Sequence, residues 1–255
     1  MSNERRQRIA DWVRQSGSVR VAELAAHFDV SEVTIRADLA RLEKDQLLVR
    51  DHGGATAVES HREVTSLLAI EARYSLQRAE KQRIAEAAAR LVQPGDTIYL
   101  DAGTTVVEMI PFLAAVTPLT IVTNAVPIAV NAAATTSAEV ILLGGTFNRV
   151  SASNLGAMTE RSLGEFLVDR LFLGTQAADV THGLTDTTIE IANLKRAMIR
   201  SAREVVLLAD ATKWGASGFI KVAPLSAIHA VISDAGLPAD VQARLKKLGL
   251  RLTLA

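Results

Sequence analysis

The chain has 255 residues, 28 Lys/Arg against 28 Asp/Glu, a formal net charge of zero and 49% hydrophobic residues, enough for one small and one medium domain with an ample core. It has no cysteine, which excludes disulfides and thiolate metal sites, and His27, His52, His61, His182 and His229 are scattered with no HxxxH-like pair, so neither a metal site nor a cofactor is expected. The start of the chain is Arg-rich and polar, and no apolar run approaches ~20 residues, so a cytoplasmic protein with no membrane partner is expected.

Residues 5–16 read as a supporting helix through Ile9, Trp12 and Val13. In the next segment Val21, Leu24, Ala25 and Phe28 fall at i, i+3, i+4 and i+7, the apolar face of a second helix. Asp29 and Val30 break it, and Ser31 is a good N-cap for a third helix, with Glu32 suiting its positive end. There Ile35, Leu39 and Leu42 form the buried stripe, and at ~100° per residue the opposite face carries Val33, Thr34, Arg36, Ala37, Ala40, Arg41 and Lys44. Residues 48–50 and 55–58 would be wing strands, with Gly53-Gly54 permitting the positive φ of a tight hairpin. This order predicts a winged helix-turn-helix over residues 1–58, whose third helix enters the major groove of double-stranded DNA. An ordinary three-helix subdomain gives the same periodicity. Charge does not decide between them, since residues 1–58 hold nine Lys/Arg and nine Asp/Glu, unlike the basic balance of a typical DNA-binding domain.

The specific motif does. Ser31-Glu32-Val33-Thr34-Ile35-Arg36, then Asp38-Leu39, Leu42-Glu43 and Arg50-Asp51-His52-Gly53-Gly54-Ala55 resemble the DeoR family of bacterial sugar-catabolism regulators, and the resemblance continues along nearly the whole chain. It implies that Ser31, Val33, Thr34, Arg36, Ala37, Arg41, Arg50, His52 and Gly53 meet an operator. The family motif usually has two consecutive arginines; here the second is Ala37, which removes a phosphate contact or a bidentate contact to guanine. Val33, Ala37 and Ala40 leave small apolar groups facing the groove, which suit thymine methyls.

Residues 59–93 read as a linker and connecting helix: a polar hinge at 59–63, then a helical pattern from about Leu67 to Leu91 that stops at Pro94-Gly95. The charged cluster 78–83 reads as a solvated helix face. From residue 94 to 255 the texture is that of a doubly wound, mainly parallel α/β sheet. Residues 97–100, 119–122, 140–143, 170–173, 205–208 and 230–232 are short, nearly all apolar runs, as expected of strands buried on both faces.

Such sheets bind ligands beyond the carboxyl ends of their strands, where this domain keeps its polar residues. Asp101-Ala102-Gly103-Thr104-Thr105 precedes a helix expected near Val106, and a small residue with two hydroxyls at a helix start suits an anion; simple helix capping explains the loop equally well. It is neither GxGxxG nor GxxxxGK[ST]. Thr123-Asn124, Gly144-Gly145, Gly174-Thr175-Gln176 and Asp210-Ala211-Thr212-Lys213 follow the next strands, and Lys213 adds a positive charge suited to phosphate.

The family resemblance extends here: DxGTT, TN and DSSK segments match Asp101 to Thr105, Thr123-Asn124 and Asp210 to Lys213. The DeoR effector domain is similar to ribose-5-phosphate isomerase and glucosamine-6-phosphate deaminase, and the family responds to phosphorylated sugars. This implies that Gly103, Thr104, Thr105 and Lys213 hold the phosphate while Asn124 and residues near Gln176 meet the sugar, with Asp101, Thr123, Gly144 and Gly145 completing the effector site. The family's GxDG is Gly174-Thr175-Gln176-Ala177 here, an amide in place of a carboxylate. The rival reading is a sugar-phosphate isomerase or deaminase fused to a DNA-binding domain. That chemistry needs a base next to the carbonyl, and Leu173 and Gln176 cannot serve, leaving Asp101, Asp179, Asp186 and Glu190. A repressor that is no enzyme, working as a homodimer or homotetramer on repeated half-sites, is the expectation.

Overall fold

The structure, a computed structural model, describes residues 2–16, 18–44, 47–50, 53–56, 62–64, 73–74 and 76–255. The chain divides into two units, Met1–Arg62 and Glu63–Ala255.

In the first unit α1 (Ser2–Ser16), α2 (Val21–Phe28) and α3 (Glu32–Lys44) pack with an antiparallel sheet of order β1-β3-β2, from Ser18–Arg20, Gly54–Thr56 and Val49–Arg50. The core is the set that the periodicity selects: Ile9, Val13, Val21, Leu24, Ile35, Leu39, Leu42 and Leu48, each worth about 1.5–3 kcal/mol of burial. Two local devices set the α2–α3 angle. Asp29 closes α2 in the left-handed region at φ 50°, and the Ser31 hydroxyl accepts the Thr34 N–H at 3.2 Å to open α3. Asp38, buried on α3, accepts a 2.7 Å hydrogen bond from Arg5 of α1.

The wing differs from expectation in one physical detail. Gly54 does not have a positive φ. Gly54 stands opposite Arg20, and a Cβ there would meet the Val19 carbonyl oxygen at 2.3 Å; strand proximity, not turn geometry, calls for glycine. The strands span 49–50 and 54–56 rather than 48–50 and 55–58, of which residues 57–58 lie outside the described residues.

After β4 (Arg62–Val64), the second unit builds a seven-stranded parallel sheet of order β17-β16-β13-β10-β5-β6-β7. Its strands are β5 (Thr97–Leu100), β6 (Thr120–Thr123), β7 (Glu139–Leu142), β10 (Val168–Gly174), β13 (Ala202–Leu208), β16 (Ala230–Ser233) and β17 (Arg251–Leu254). Alternate residues feed two cores. Ile98, Leu100, Ile121, Phe172, Val206 and Leu208 pack with α4 (Arg78–Ala89), α5 (Thr104–Val107), α6 (Ile110–Leu113) and α7 (Val126–Thr135). Tyr99, Val122, Leu171, Leu173, Val205, Leu207 and Val231 pack with α8 (Ala157–Leu163), α9 (Ile189–Arg200) and α10 (Ala239–Lys247). Helices therefore cover both faces, the doubly wound arrangement.

The chain runs outward from β5 through β6 to β7, then returns to β10 on the other side of β5 and proceeds to β17. The order reverses between β5 and β10, which is where such sheets open a crevice. β7 departs from the expectation of two-sided burial: it is an edge strand with Glu139 and Leu142 exposed. Short antiparallel strands fill the connections, β8 (Thr146–Asn148) with β9 (Ser153–Leu155), and β11 (Ala177–Asp179) with β12 (Gly183–Asp186) and β15 (Ile220–Ala223); β14 (Ala216–Gly218) lies between them in the chain. The connecting helix is described at Arg73–Tyr74 and as α4; residues 65–72 lie outside the described residues.

Candidate DNA-binding and ligand-binding sites

On α3 the residues opposite the core stripe face outward. Val33 is 73% exposed, and Arg36, Ala37 and Arg41 are exposed along the same side. Arg36 donates to Glu32 one turn earlier at 2.7 Å; an exposed i,i+4 pair is worth only about 0.3–0.5 kcal/mol, so it holds the guanidinium weakly. Ser31 and Thr34 bond to each other through their hydroxyls at 2.9 Å, which commits them to the helix start. Arg50 at the base of the wing is held by Glu43, its Nε on Oε2 at 2.7 Å and its N–H on Oε1 at 3.1 Å; these bonds hold the Glu43 carboxyl below its ordinary value. The Gly53 carbonyl accepts the Val21 N–H at 2.9 Å, tying the wing to the start of α2. His52 lies outside the described residues.

The second site is a cleft of about 690 Å³, part of it open to solvent, at the carboxyl ends of β5, β6, β10 and β13. Of the effector residues predicted from sequence, Asp101, Gly103, Thr104, Thr105, Asn124, Gln176 and Lys213 line it. Thr123, Gly144 and Gly145 are not among its lining residues. Thr123 is fully buried, donating to the Leu100 carbonyl at 2.7 Å and accepting the Ala125 N–H at 3.0 Å, so it braces β5 against β6. Gly144 accepts the Thr159 hydroxyl through its carbonyl at 2.8 Å. Gly145, at φ +153°, leaves 2.1 Å between a would-be Cβ and the Thr159 oxygen, so both glycines serve the packing of α8. The helix expected near Val106 begins at Thr104 and is a single turn, so the backbone N–H groups of 103–105 matter here more than a macrodipole.

Residues not selected from sequence complete the cleft, Arg73, Ser151, Ser153, Ile191, Leu194, Lys195 and Met198 among them, together with Asp186, one of the carboxylates considered for base chemistry. Lys195 projects from α9, donating to Asp186 at 2.9 Å with Asp101 at 3.8 Å. Burial alone would lower its ammonium, but Asp186 and Asp101 outweigh burial and hold it above the ordinary lysine value. Burial pushes the Asp101 carboxyl up, against the pull of Lys195 and of the Gly174 and Ala102 N–H groups, which reach it at 3.0 and 2.7 Å. Asn124 spans the floor, accepting from Tyr99 at 3.1 Å and donating to the Asn154 carbonyl at 3.0 Å. Both Asp101 oxygens are thus occupied and Lys195 is held charged, an arrangement suited to fixed polar recognition. Asp179 and Glu190, the other carboxylates considered for base chemistry, are not among the lining residues.

Lys195 had a legible signal. Ile191, Leu194, Lys195 and Met198 fall at i, i+3, i+4 and i+7 of α9, so the lysine sits inside an apolar stripe, a place where a charge needs a partner. In the cluster 78–83 Arg78, Gln82 and Arg83 are exposed as a solvated face requires, and Lys81 alone departs from it: it is 3% exposed and donates to the Arg73 carbonyl at 2.6 Å. Burial pushes it down to about 8, with Lys213 and Arg73 nearby lowering it further and Asp210 and Glu108 raising it. Among the described residues no group of His, Asp and Glu could hold a metal ion, and no helix is long and apolar enough to cross a membrane.

Residues 5–61 match the DeoR-like helix-turn-helix domain and residues 76–235 the DeoR C terminal sensor domain. The HTH-type transcriptional regulator YulB of Bacillus subtilis is 37% identical over 94% of this chain and 92% of its own length. The putative aga operon transcriptional repressor of Escherichia coli O157:H7 is 35% identical over 99% of this chain and 94% of its own. Among solved structures, ribose 5-phosphate isomerase A from Methanocaldococcus jannaschii resembles 54% of each chain at 19% identity and a TM-score of 0.40, from which no activity follows. Matched in both its helix-turn-helix and its sensor domain, and over nearly its full length by named regulators, the chain belongs to the DeoR family of DNA-binding transcriptional regulators.

Proposed function

We propose that this regulator represses a sugar-catabolism operon and leaves its operator when a phosphorylated sugar fills the cleft at the carboxyl edge of the sheet. The observation that carries this reading is the convergence of Gly103, Thr104, Thr105 and Lys213 with the polar floor of Asp101, Asn124 and Gln176 in one cleft. The first group offers backbone N–H donors, two hydroxyls and an ammonium to a phosphate. The second offers donors and acceptors to sugar hydroxyls. The aga operon named for one relative fits a catabolic target. A homodimer or homotetramer would hold two or more α3 helices at the spacing of operator half-sites. The effector must contact the two arrangements differently, because a ligand that binds both equally shifts nothing.

Lys213→Ala tests the assignment. Operator binding should stay as in the wild type, while the phosphosugar concentration that releases DNA rises at least tenfold. Loss of operator binding, or an unchanged response, would overturn this division of labour. The isomerase reading is checked on the same compounds by assaying their interconversion.

A further inference from the structure

Among the described residues the cleft is lined by the cations Arg73, Lys195 and Lys213 and the carboxylates Asp101 and Asp186, with Lys195 at 2.9 and 3.8 Å from Asp186 and Asp101. Arg73 and Lys213 come from different parts of the chain. Lys213 follows β13 at the sheet edge. Arg73 belongs to the stretch between the DNA-binding unit, which ends at Arg62, and α4. Its placement is built rather than incidental. The Arg73 carbonyl accepts the buried Lys81 ammonium at 2.6 Å, and Lys81 sits on α4, whose Ile84, Ala85, Ala88 and Ala89 are packed in the core. The backbone of Arg73 is therefore clamped to a rigid helix while its side chain lines the cleft.

We propose that Arg73 is an effector ligand: its guanidinium completes the phosphate-binding end begun by Thr104, Thr105 and Lys213, and through it the bound anion acts on the segment leading to the DNA-binding unit. Arginine suits this task because its planar fork meets two phosphate oxygens at once, which lysine does not. The two sides of the clamp divide the work. The loops at the sheet edge fix where the phosphate sits, and Arg73 couples its presence to the connector. An anion held by the loops alone would bind without moving DNA affinity. The inference rests on the phosphate-site reading above and adds to it a residue and a route.

The test uses the full-length protein with inorganic phosphate, ribose 5-phosphate, fructose 1-phosphate and glucosamine 6-phosphate as calorimetric probes, followed by operator release with whichever binds. Arg73→Met should weaken the best probe at least tenfold and abolish release, with operator affinity in the absence of probe unchanged. Arg73→Lys, which keeps the charge and loses the fork, should recover part of the binding and little of the release. Binding and release by Arg73→Met equal to the wild type would overturn the inference while leaving the phosphate site standing, provided Lys213→Ala is impaired. A wild type that binds none of the four probes would overturn both. Retention of the far-ultraviolet circular dichroism and thermal midpoint by Arg73→Met separates loss of a ligand from loss of fold, and Arg73→Gln serves if methionine does not fold.

Discussion

Replacing Lys195 with methionine removes the ammonium that two buried carboxylates share. Charges 2.9 Å and 3.8 Å apart attract by about 6 and about 4 kcal/mol at an effective dielectric constant of about 20. Relief of the ammonium's own desolvation offsets part of this, and breaking a buried pair from one side costs about 3–5 kcal/mol. That range is the loss expected at pH 8. The pH dependence follows from the sign of the shift. Without the lysine, Asp101, 2% exposed and already pushed up by burial, loses the cation that draws it down and rises further above the unfolded value near 3.9. The penalty is then absent below about pH 4 and grows as pH rises through the folded-state value. The loss at pH 5.5 should therefore be smaller, by about 1.4 kcal/mol for each pH unit over which a carboxylate stays protonated. Urea unfolding read by Trp214 fluorescence in a Trp12→Phe background reports the sensor unit alone, since Trp214 is buried there and the chain has two tryptophans. A loss under about 1 kcal/mol at pH 8, or the same loss at both pH values, would refute this account of the triad.

Arg36→Ala should abolish specific operator binding while calorimetric phosphosugar binding stays unchanged; retained operator affinity would remove Arg36 from the interface. Gly54→Ala drives a methyl to 2.3 Å from the Val19 carbonyl and should destabilise the first unit by about 1–3 kcal/mol, with lowered operator affinity and an unaltered Trp214 transition; an unchanged first unit would mean that the wing yields freely. Ala37→Arg should change which operator base pairs are preferred, tested by anisotropy on a set of single-base variants; identical preference would discard the thymine-methyl reading. Lys81, pushed down to about 8, is charged below that value, and a bound phosphate favours its charged form. Phosphosugar affinity should therefore fall severalfold from pH 7 to pH 9, although the phosphate itself, with a second pKa of about 6, stays a dianion. Loss of this dependence in Lys81→Met is expected, and persistence would assign it elsewhere.

The sheet was legible because a strand covered on both faces must be apolar at nearly every position, as in Thr97–Leu100 and Ala230–Ser233. β17 was not, because an edge strand with Arg251 and Thr253 exposed reads like the polar end of a chain. The polar residues after β5, β10 and β13 pointed to the cleft through their place at strand carboxyl ends and through the family motif, and the reversal between β5 and β10 is what brings those ends together. Sequence could not separate Thr123 from Asn124: successive residues at a strand end point to opposite sides, and only tertiary placement tells which hydroxyl braces a neighbouring strand. Gly54 was recognised as special for the wrong reason, because close approach across strands leaves the same residue as a positive-φ turn. Arg73 carried no periodic or motif signal. Its place is set by Lys81, eight residues on, whose ammonium donates to the Arg73 carbonyl at 2.6 Å.

Fluorescence anisotropy of the full-length protein on labelled DNA from upstream of its own gene, near physiological salt with unlabelled nonspecific DNA present and a panel of phosphosugars titrated in, tests the central claim most directly. The account predicts a competitor-resistant complex that at least one phosphosugar dissolves. A specific complex that every phosphosugar leaves intact would contradict the assignment of the cleft, and the absence of any specific complex would contradict the assignment of this operator.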